Sequence, residues 1–248
     1  LSAAVLASGD TNLINSAAEP EVTALIEFLI AAGAKINYED PQHLKITGVS
    51  ELNPVTMRMI PDRIEAGTFL LGGAITGSRI TVTNCNPEHL TSLTKTMKLC
   101  GCKFEIEGDK ITVIPPAKIK PTDIITEPYP KFPTDLQAQF MALMSTADGK
   151  CKITETIFPD RFMQVAELNR LGAKIINSAN CAEIQGAPKL SGAKVMATDL
   201  RASAALVLAG MAAEGQTEIS RIYHIDRGYE RIETKLQKLG ADIKRLKG

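Results

Sequence analysis

The sequence predicts an α/β protein built from repeats of about 70 residues, with apolar helices inside and sheets outside. Three observations predict it. A helix-ending phrase closed by glycine recurs at Gly33, Gly101, Gly172 and Gly240, with spacings of 68, 71 and 68 residues. A helix that is apolar nearly all round recurs three times in the same phase, and each copy leads into a β-branched run. Composition fits such a core: 44% of the 248 residues are apolar, yet only 4% are aromatic and there is no Trp. Ala, Leu, Ile, Val and Met must therefore fill the interior.

In chain order, Leu1 to Gly9 is apolar and rich in small residues but lacks the basic leading region of a secretory signal. With Thr11 to Ile14 it fits the slot of a buried helix followed by a strand, so it is expected to be the back half of a helix. The outer helices end in the phrases Ile26 to Ile36, Leu93 to Phe104, Val165 to Ile175 and Ile232 to Ile243. Each reads as an amphipathic helix stopped by a left-handed Gly at C′ and followed directly by a strand. The inner helices are Phe69 to Gly77, Phe140 to Gly149 and Leu206 to Gly215, followed by strands at Arg79–Thr83, Lys152–Ile157 and Thr217–Arg221. Leu44–Thr47 and Lys110–Ile114 add a further strand after the second helix. A domain boundary is expected at Pro54–Pro61, with Val55–Ile60 as an extended crossing segment.

Charge excludes several functions. With 28 basic and 28 acidic residues the net charge is zero, so no global field attracts nucleic acid or an anionic membrane, and any anion site is local. No apolar run approaches the ~20 residues that span a bilayer. Five Cys without paired spacing read as reduced thiols of a cytoplasmic protein.

Charged clusters stand at the mouths of the inner helices. Asp62, Asp135 and Asp199 each occupy a cap-like position, where a carboxylate accepts hydrogen bonds from free backbone N–H groups. Capping does not exclude a site, because helix N-termini also favour anions. Arg63 and Arg201 fall in the first turn of a helix, where a cation opposes the dipole and gains nothing locally. Arg161 and Arg227 occupy corresponding places one repeat apart, between a strand and the next helix. Guanidinium forks suit carboxylate and phosphate, so repeat-equivalent arginines point to one shared anion. Surface solvation is the plain alternative for each. Cys100-Gly101-Cys102 is too close for tetrahedral zinc and has no completing cluster, so Cys102 reads as a packed small residue. His224, alone among apolar residues, reads as structural. No phosphate-binding glycine loop or nucleophile elbow is present.

The phrases Phe132 to Phe140, Ala197 to Ser203 and Arg221 to Ile232 resemble the enolpyruvyl transferase family. The likeness is to its UDP-N-acetylglucosamine 1-carboxyvinyltransferase branch rather than the shikimate-pathway branch that shares the fold. The resemblance runs along the whole chain and implies an inverse α/β barrel in each of two domains. By the family pattern, residues 1–60 are the last part of the first domain. Residues 61–248 form the second domain of three repeats, which lacks a strand from upstream of Leu1. The resemblance implies transfer of the enolpyruvyl group from phosphoenolpyruvate to the 3′-hydroxyl of UDP-N-acetylglucosamine in peptidoglycan synthesis, through a tetrahedral intermediate, without metal or other cofactor.

In that scheme Asp135 contacts the 3′-hydroxyl and serves as base, and Ile157 contacts the nucleotide sugar through its backbone. Arg161, Arg201 and Arg227 bind or close on phosphoenolpyruvate, and Asp199 stands near the reacting centre. The family's Cys- or Asp-bearing loop, its Lys-Asn pair and further arginines lie upstream of Leu1, so the chain alone is expected to be inactive. The reading from another class is a freestanding ring-forming or nucleotide-sugar-binding module. A nucleic-acid clamp needs a basic inner surface that apolar helices do not offer.

Overall fold

All four repeat glycines end a helix in the left-handed conformation, with φ between +89° and +102°. The structure, a computed structural model, describes residues 1–246. It divides into two units, residues 1–61 with 128–131, and the remainder beginning at Asp62.

In the first unit β1 (Asp10–Ile14), α1 (Pro20–Ala31), β2 (Lys35–Asp40) and β3 (His43–Thr47) follow one another. The strands form an antiparallel sheet in the order β1-β3-β2. Ile26 and Leu29 of α1 pack with Ile36, Leu44 and Ile46 of the sheet into one small core. The expected helix at Leu1 to Gly9 is corrected: only a 3-10 turn, Ala4–Leu6, forms there, and Val5 alone of that turn is buried. Residues 51–62 carry no helix or strand.

The second unit repeats that plan with its inner helices in place. The first repeat runs α2 (Arg63–Ile75), β4 (Ile80–Val82), α3 (Thr91–Leu99), β5 (Lys103–Glu107) and β6 (Lys110–Ile114), with sheet order β4-β6-β5. After β7 (Ile124–Ile125), the next runs α4 (Gln137–Met144), β8 (Lys150–Thr154), α5 (Gln164–Arg170), β9 (Lys174–Ser178) and β10 (Cys181–Gln185), with order β7-β8-β10-β9. Then come β11 (Leu190–Ser191), β12 (Lys194–Met196), α6 (Leu200–Ala212), β13 (Ala213–Glu214), β14 (Glu218–Ser220) and α7 (Ile232–Lys238). β11 pairs with β13 and β12 with β14, both in parallel.

Two expectations change in the last repeat. Among the described residues no strand follows Gly240. The inner helix ends at Ala212, not Gly215, because residues 213–214 turn extended to pair with β11.

Helices α2, α4 and α6 pack on one another. Every residue of α4 is buried, as is each of Ala202–Ala209 in α6. Gly67 and Gly73 of α2 leave room for neighbours: a Cβ at Gly67 would meet Leu136, and one at Gly73 would meet Ile80, Val113 and the Ser78 carbonyl. Cys85, Cys100, Cys102 and Cys151 are buried and Cys181 is half-buried, all as free thiols. Burial pushes Cys102 up to about 12 and Cys151 to about 11. Cys102 is thus packed, as its place in the repeat predicts, and the described residues hold no cluster of metal-ligating type. No helix among them is long and apolar enough to cross a membrane.

The turns that leave the hairpins are equally constrained. Gly48, after β3, donates to the Gly9 carbonyl at 2.9 Å, and Gly186, after β10, donates to the Gly149 carbonyl at 2.9 Å. A Cβ on Gly186 would lie 1.8 Å from the Ala147 carbonyl oxygen, so backbone must move to admit it. Gly186→Ala is expected to destabilise the chain by at least about 3 kcal/mol, measured by urea unfolding.

Candidate functional site

The inner-helix mouths differ in how their acids are used. Asp62 caps α2, its carboxylate accepting from the N–H groups of Ile64 at 2.7 Å and Glu65 at 2.9 Å. Asp199 caps α6 through Oδ1, accepting from Arg201 N at 2.8 Å and Ala202 N at 2.9 Å. Asp135 does neither. It lies in the 3-10 turn Thr134–Leu136 that leads into α4, and that turn has no side-chain cap. This corrects the capping expectation, and the cause is competition: two guanidinium groups offer charge-assisted hydrogen bonds, stronger than those of neutral amides.

Arg161 Nη1 donates to Asp135 Oδ1 at 2.8 Å and Arg201 Nη2 donates to Oδ2 at 2.7 Å. Arg161 follows β8 and Arg201 opens α6, so side chains from two repeats close on one carboxylate carried by the turn before α4. Burial alone would raise the Asp135 pKa, but the hydrogen bonds and charges of Arg201 and Arg161 outweigh it and hold the carboxyl below its ordinary value. Burial likewise works against the Arg201 charge, and Asp135 reverses it, keeping this guanidinium more firmly protonated. The first-turn Arg201, which gains nothing from its own helix, gains instead from an acid on the neighbouring one.

Behind this pair lies a buried polar network. The Tyr229 hydroxyl, on a side chain 1% exposed, meets Thr68 Oγ1 of α2 at 2.8 Å and accepts from Gln139 Nε2 of α4 at 3.1 Å. The same Nε2 lies 3.1 Å from Thr68 Oγ1 and 3.1 Å from the Asp135 carbonyl, so its two protons are shared among three acceptors. Burial pushes the phenol pKa up against the pull of Thr68 and Arg201. The network joins α2, α4, α6 and the loop after Arg227.

The remaining sequence-predicted residues lie as follows. Ile157 is half-buried and its N–H donates to Glu155 Oε1 at 2.9 Å, so its carbonyl is the backbone group left for a ligand. Arg63 is buried in the first turn of α2. Arg227 ends the 3-10 segment Ile222–Arg227, is exposed, and forms no ion pair among the described residues. The structure therefore brings Arg161 and Arg201 together at Asp135 but does not bring Arg227 into that cluster. His224 stacks on Tyr223 with ring centroids 4.3 Å apart.

Sequence reasoning missed Glu155, Thr134 as a partner, and the Thr68–Gln139–Tyr229 network. A signal for Glu155 existed: alternation along β8 puts Cys151, Ile153 and Glu155 on the same buried face. Thr68 and Gln139 are polar residues inside apolar helices, which periodicity alone reads as core, while Thr134 and Tyr229 lie in turns whose partners no local pattern encodes.

The model of the EPSP synthase (3-phosphoshikimate 1-carboxyvinyltransferase) family matches residues 1–236. The chain belongs to that family. It is 54% identical over 246 residues to a UDP-N-acetylglucosamine 1-carboxyvinyltransferase of Desulfosudis oleivorans, covering 99% of this chain and 59% of the relative. A protein of the same name from Bdellovibrio bacteriovorus is 54% identical over 245 residues, again with 59% of its length covered. The chain thus spans about 59% of the length of these relatives. Among solved structures, the enolpyruvyl transferase NikO of Streptomyces tendae matches with a TM-score of 0.88 and 28% identity, over 97% of this chain and 58% of that one. EPSP synthase from Acinetobacter baumannii shares the fold at a TM-score of 0.69 and 18% identity, over 98% of this chain and 60% of that one. The repeated helix-and-sheet architecture is that of the enolpyruvyl transferases, the inverse α/β barrel that the resemblance implied.

Two predictions follow from the ion-paired acid and the network behind it. Asp135→Asn should lower the unfolding free energy at pH 7 by about 1 kcal/mol, a figure discounted for the solvent that reaches the pair. The folded carboxyl ionises more readily than the unfolded one, so its contribution is complete above the ordinary value of 3.8 and is lost as pH falls through the lower folded value. Urea unfolding across that range should show the gap between wild type and variant closing on acidification. Tyr229→Phe should cost about 1–2 kcal/mol in the same assay, since it strips a shared partner from buried Thr68 and Gln139.

Proposed function

We propose that this chain forms part of a UDP-N-acetylglucosamine 1-carboxyvinyltransferase of peptidoglycan synthesis, and that Asp135, Arg161 and Arg201 belong to its substrate site. The observation that carries the reading is a partly exposed carboxylate clasped by two arginines from different repeats. The relatives more than 50% identical bear that enzyme's name.

In the reaction the sugar 3′-hydroxyl adds to C2 of phosphoenolpyruvate while C3 gains a proton. The resulting tetrahedral ketal then loses that C3 proton and inorganic phosphate, leaving the enol ether. Asp135 is the group proposed to accept the hydroxyl proton. In its clasped state it is a weak base, because two cations stabilise its ionised form. A phosphate or carboxylate of phosphoenolpyruvate offers the same guanidinium groups an alternative partner, and drawing them away raises the basicity of Asp135. Arg227, exposed and without an ion pair among the described residues, is a further cation for that anion. The proposal also gives the Ile157 carbonyl to the nucleotide sugar and places Asp199, already fixed as the α6 cap, beside the reacting centre. A cytoplasmic setting agrees with five free thiols.

Calorimetric titration of the 248-residue chain with UDP-N-acetylglucosamine tests the reading, with shikimate 3-phosphate as the competing ligand. The nucleotide sugar is expected to bind, and Asp135→Ala to weaken it about tenfold, which corresponds to about 1.4 kcal/mol. Binding of shikimate 3-phosphate in its place would overturn the assignment.

A further inference from the structure

Glu155 is wholly buried one residue past β8, and four neutral donors hold it. Oε1 accepts from Thr126 Oγ1 at 2.7 Å, Ile157 N at 2.9 Å and Phe158 N at 3.0 Å, and Oε2 accepts from Thr134 Oγ1 at 2.8 Å. A buried carboxylate is costly unless its oxygens are filled, and here the donors are those that shape the approach to Arg161. We propose that Glu155 and Thr134 are positioning residues of the site, holding the Arg161 guanidinium in register with Asp135 and fixing the Ile157 turn.

The argument rests on proton direction. A threonine hydroxyl has one proton and two lone pairs. The Thr134 proton goes to Glu155 Oε2, so the hydroxyl must turn a lone pair toward Arg161, whose Nη1 donates to it at 3.0 Å. The same Nη1 donates to Asp135 Oδ1, so adjacent residues, Thr134 and Asp135, share one guanidinium nitrogen. Without the carboxylate, Thr134 is free to swing its proton toward the cation and lose that contact. Glu155 acts a second time through the backbone. By holding the N–H groups of Ile157 and Phe158, it seats the Phe158 ring 5.2 Å from the Arg161 guanidinium carbon. The Arg161 carbonyl is tied by Gln137 Nε2 at 3.2 Å, completing the anchorage of that residue.

The inference rests on the proposed function only for its ligand readout. Three variants of the 248-residue chain test it: Thr134→Val, which keeps the shape but removes the hydroxyl, Thr134→Ser, which restores it, and Glu155→Gln. In arginine-labelled protein the Arg161 guanidinium resonances are expected to be sharp in the wild type and in Thr134→Ser, and broadened in Thr134→Val. The Asp135 carboxyl, followed by carbon NMR, should titrate at higher pH in Thr134→Val, and the serine variant should restore it. UDP-N-acetylglucosamine affinity should fall about tenfold in Thr134→Val, and Thr134→Val with Arg161→Ala should be no weaker than Arg161→Ala alone. Glu155→Gln should reproduce the Thr134→Val signature, and if it fails to fold the threonine pair still decides.

Unchanged Arg161 resonances and an unchanged Asp135 titration in folded Thr134→Val would overturn the proposal. A wild-type chain that binds no nucleotide sugar would instead count against the functional reading, with the resonance and titration tests still deciding the positioning role.

Discussion

A helix that is apolar on every face can be stable in water only if other parts of the chain cover all of it, and that requirement organises the second unit. The inner helices α2, α4 and α6 meet it by packing on one another, with sheets and amphipathic helices completing the cover. Their sequences are suited to close approach. Ala and Gly supply much of α2 and α6, and Gly67, Gly72 and Gly73 of α2 stand where a Cβ would press on a neighbouring side chain. Packing helices this tightly also brings the polar groups of separate repeats within hydrogen-bond reach. Asp135 and Arg201 meet because α4 and α6 do, and Thr68 reaches Gln139 because α2 and α4 do.

The site therefore depends on two layers of polar contact with different tolerances. In the outer layer, Asp135 and its arginines are partly open to solvent, and their pairing still sets the charge state of the acid. In the inner layer, Glu155, Gln139 and Tyr229 are closed off, and each hydrogen bond there is expensive to leave unmade. The half-exposed acid and its arginines thus rest against partners that are themselves shielded from water.

Much of this was legible in the sequence because repetition turns weak local signals into strong ones. One glycine after an amphipathic run is ambiguous, but four at near-constant spacing identify helix ends, and all four adopt the left-handed conformation. Asp62 and Asp199 behave as their cap positions imply. Asp135 does not, since its partners lie 26 and 66 residues away and no local pattern encodes them. The same non-locality hid Thr68, Gln139 and Tyr229, whose side chains meet one another across separate repeats. Leu1 to Gly9 illustrates the opposite error, where analogy between repeats argued for a helix and the structure has only the 3-10 turn Ala4–Leu6.

The distribution of thiols has a practical consequence. Cys85, Cys100, Cys102 and Cys151 are buried, and burial raises the pKa of each, leaving little thiolate at neutral pH. Cys181, at the start of β10 on an outer sheet, is the half-buried exception. A maleimide dye or spin label applied to the native chain will therefore attach there selectively. With no tryptophan to contribute background emission, that single handle can report conformational change without prior removal of any cysteine.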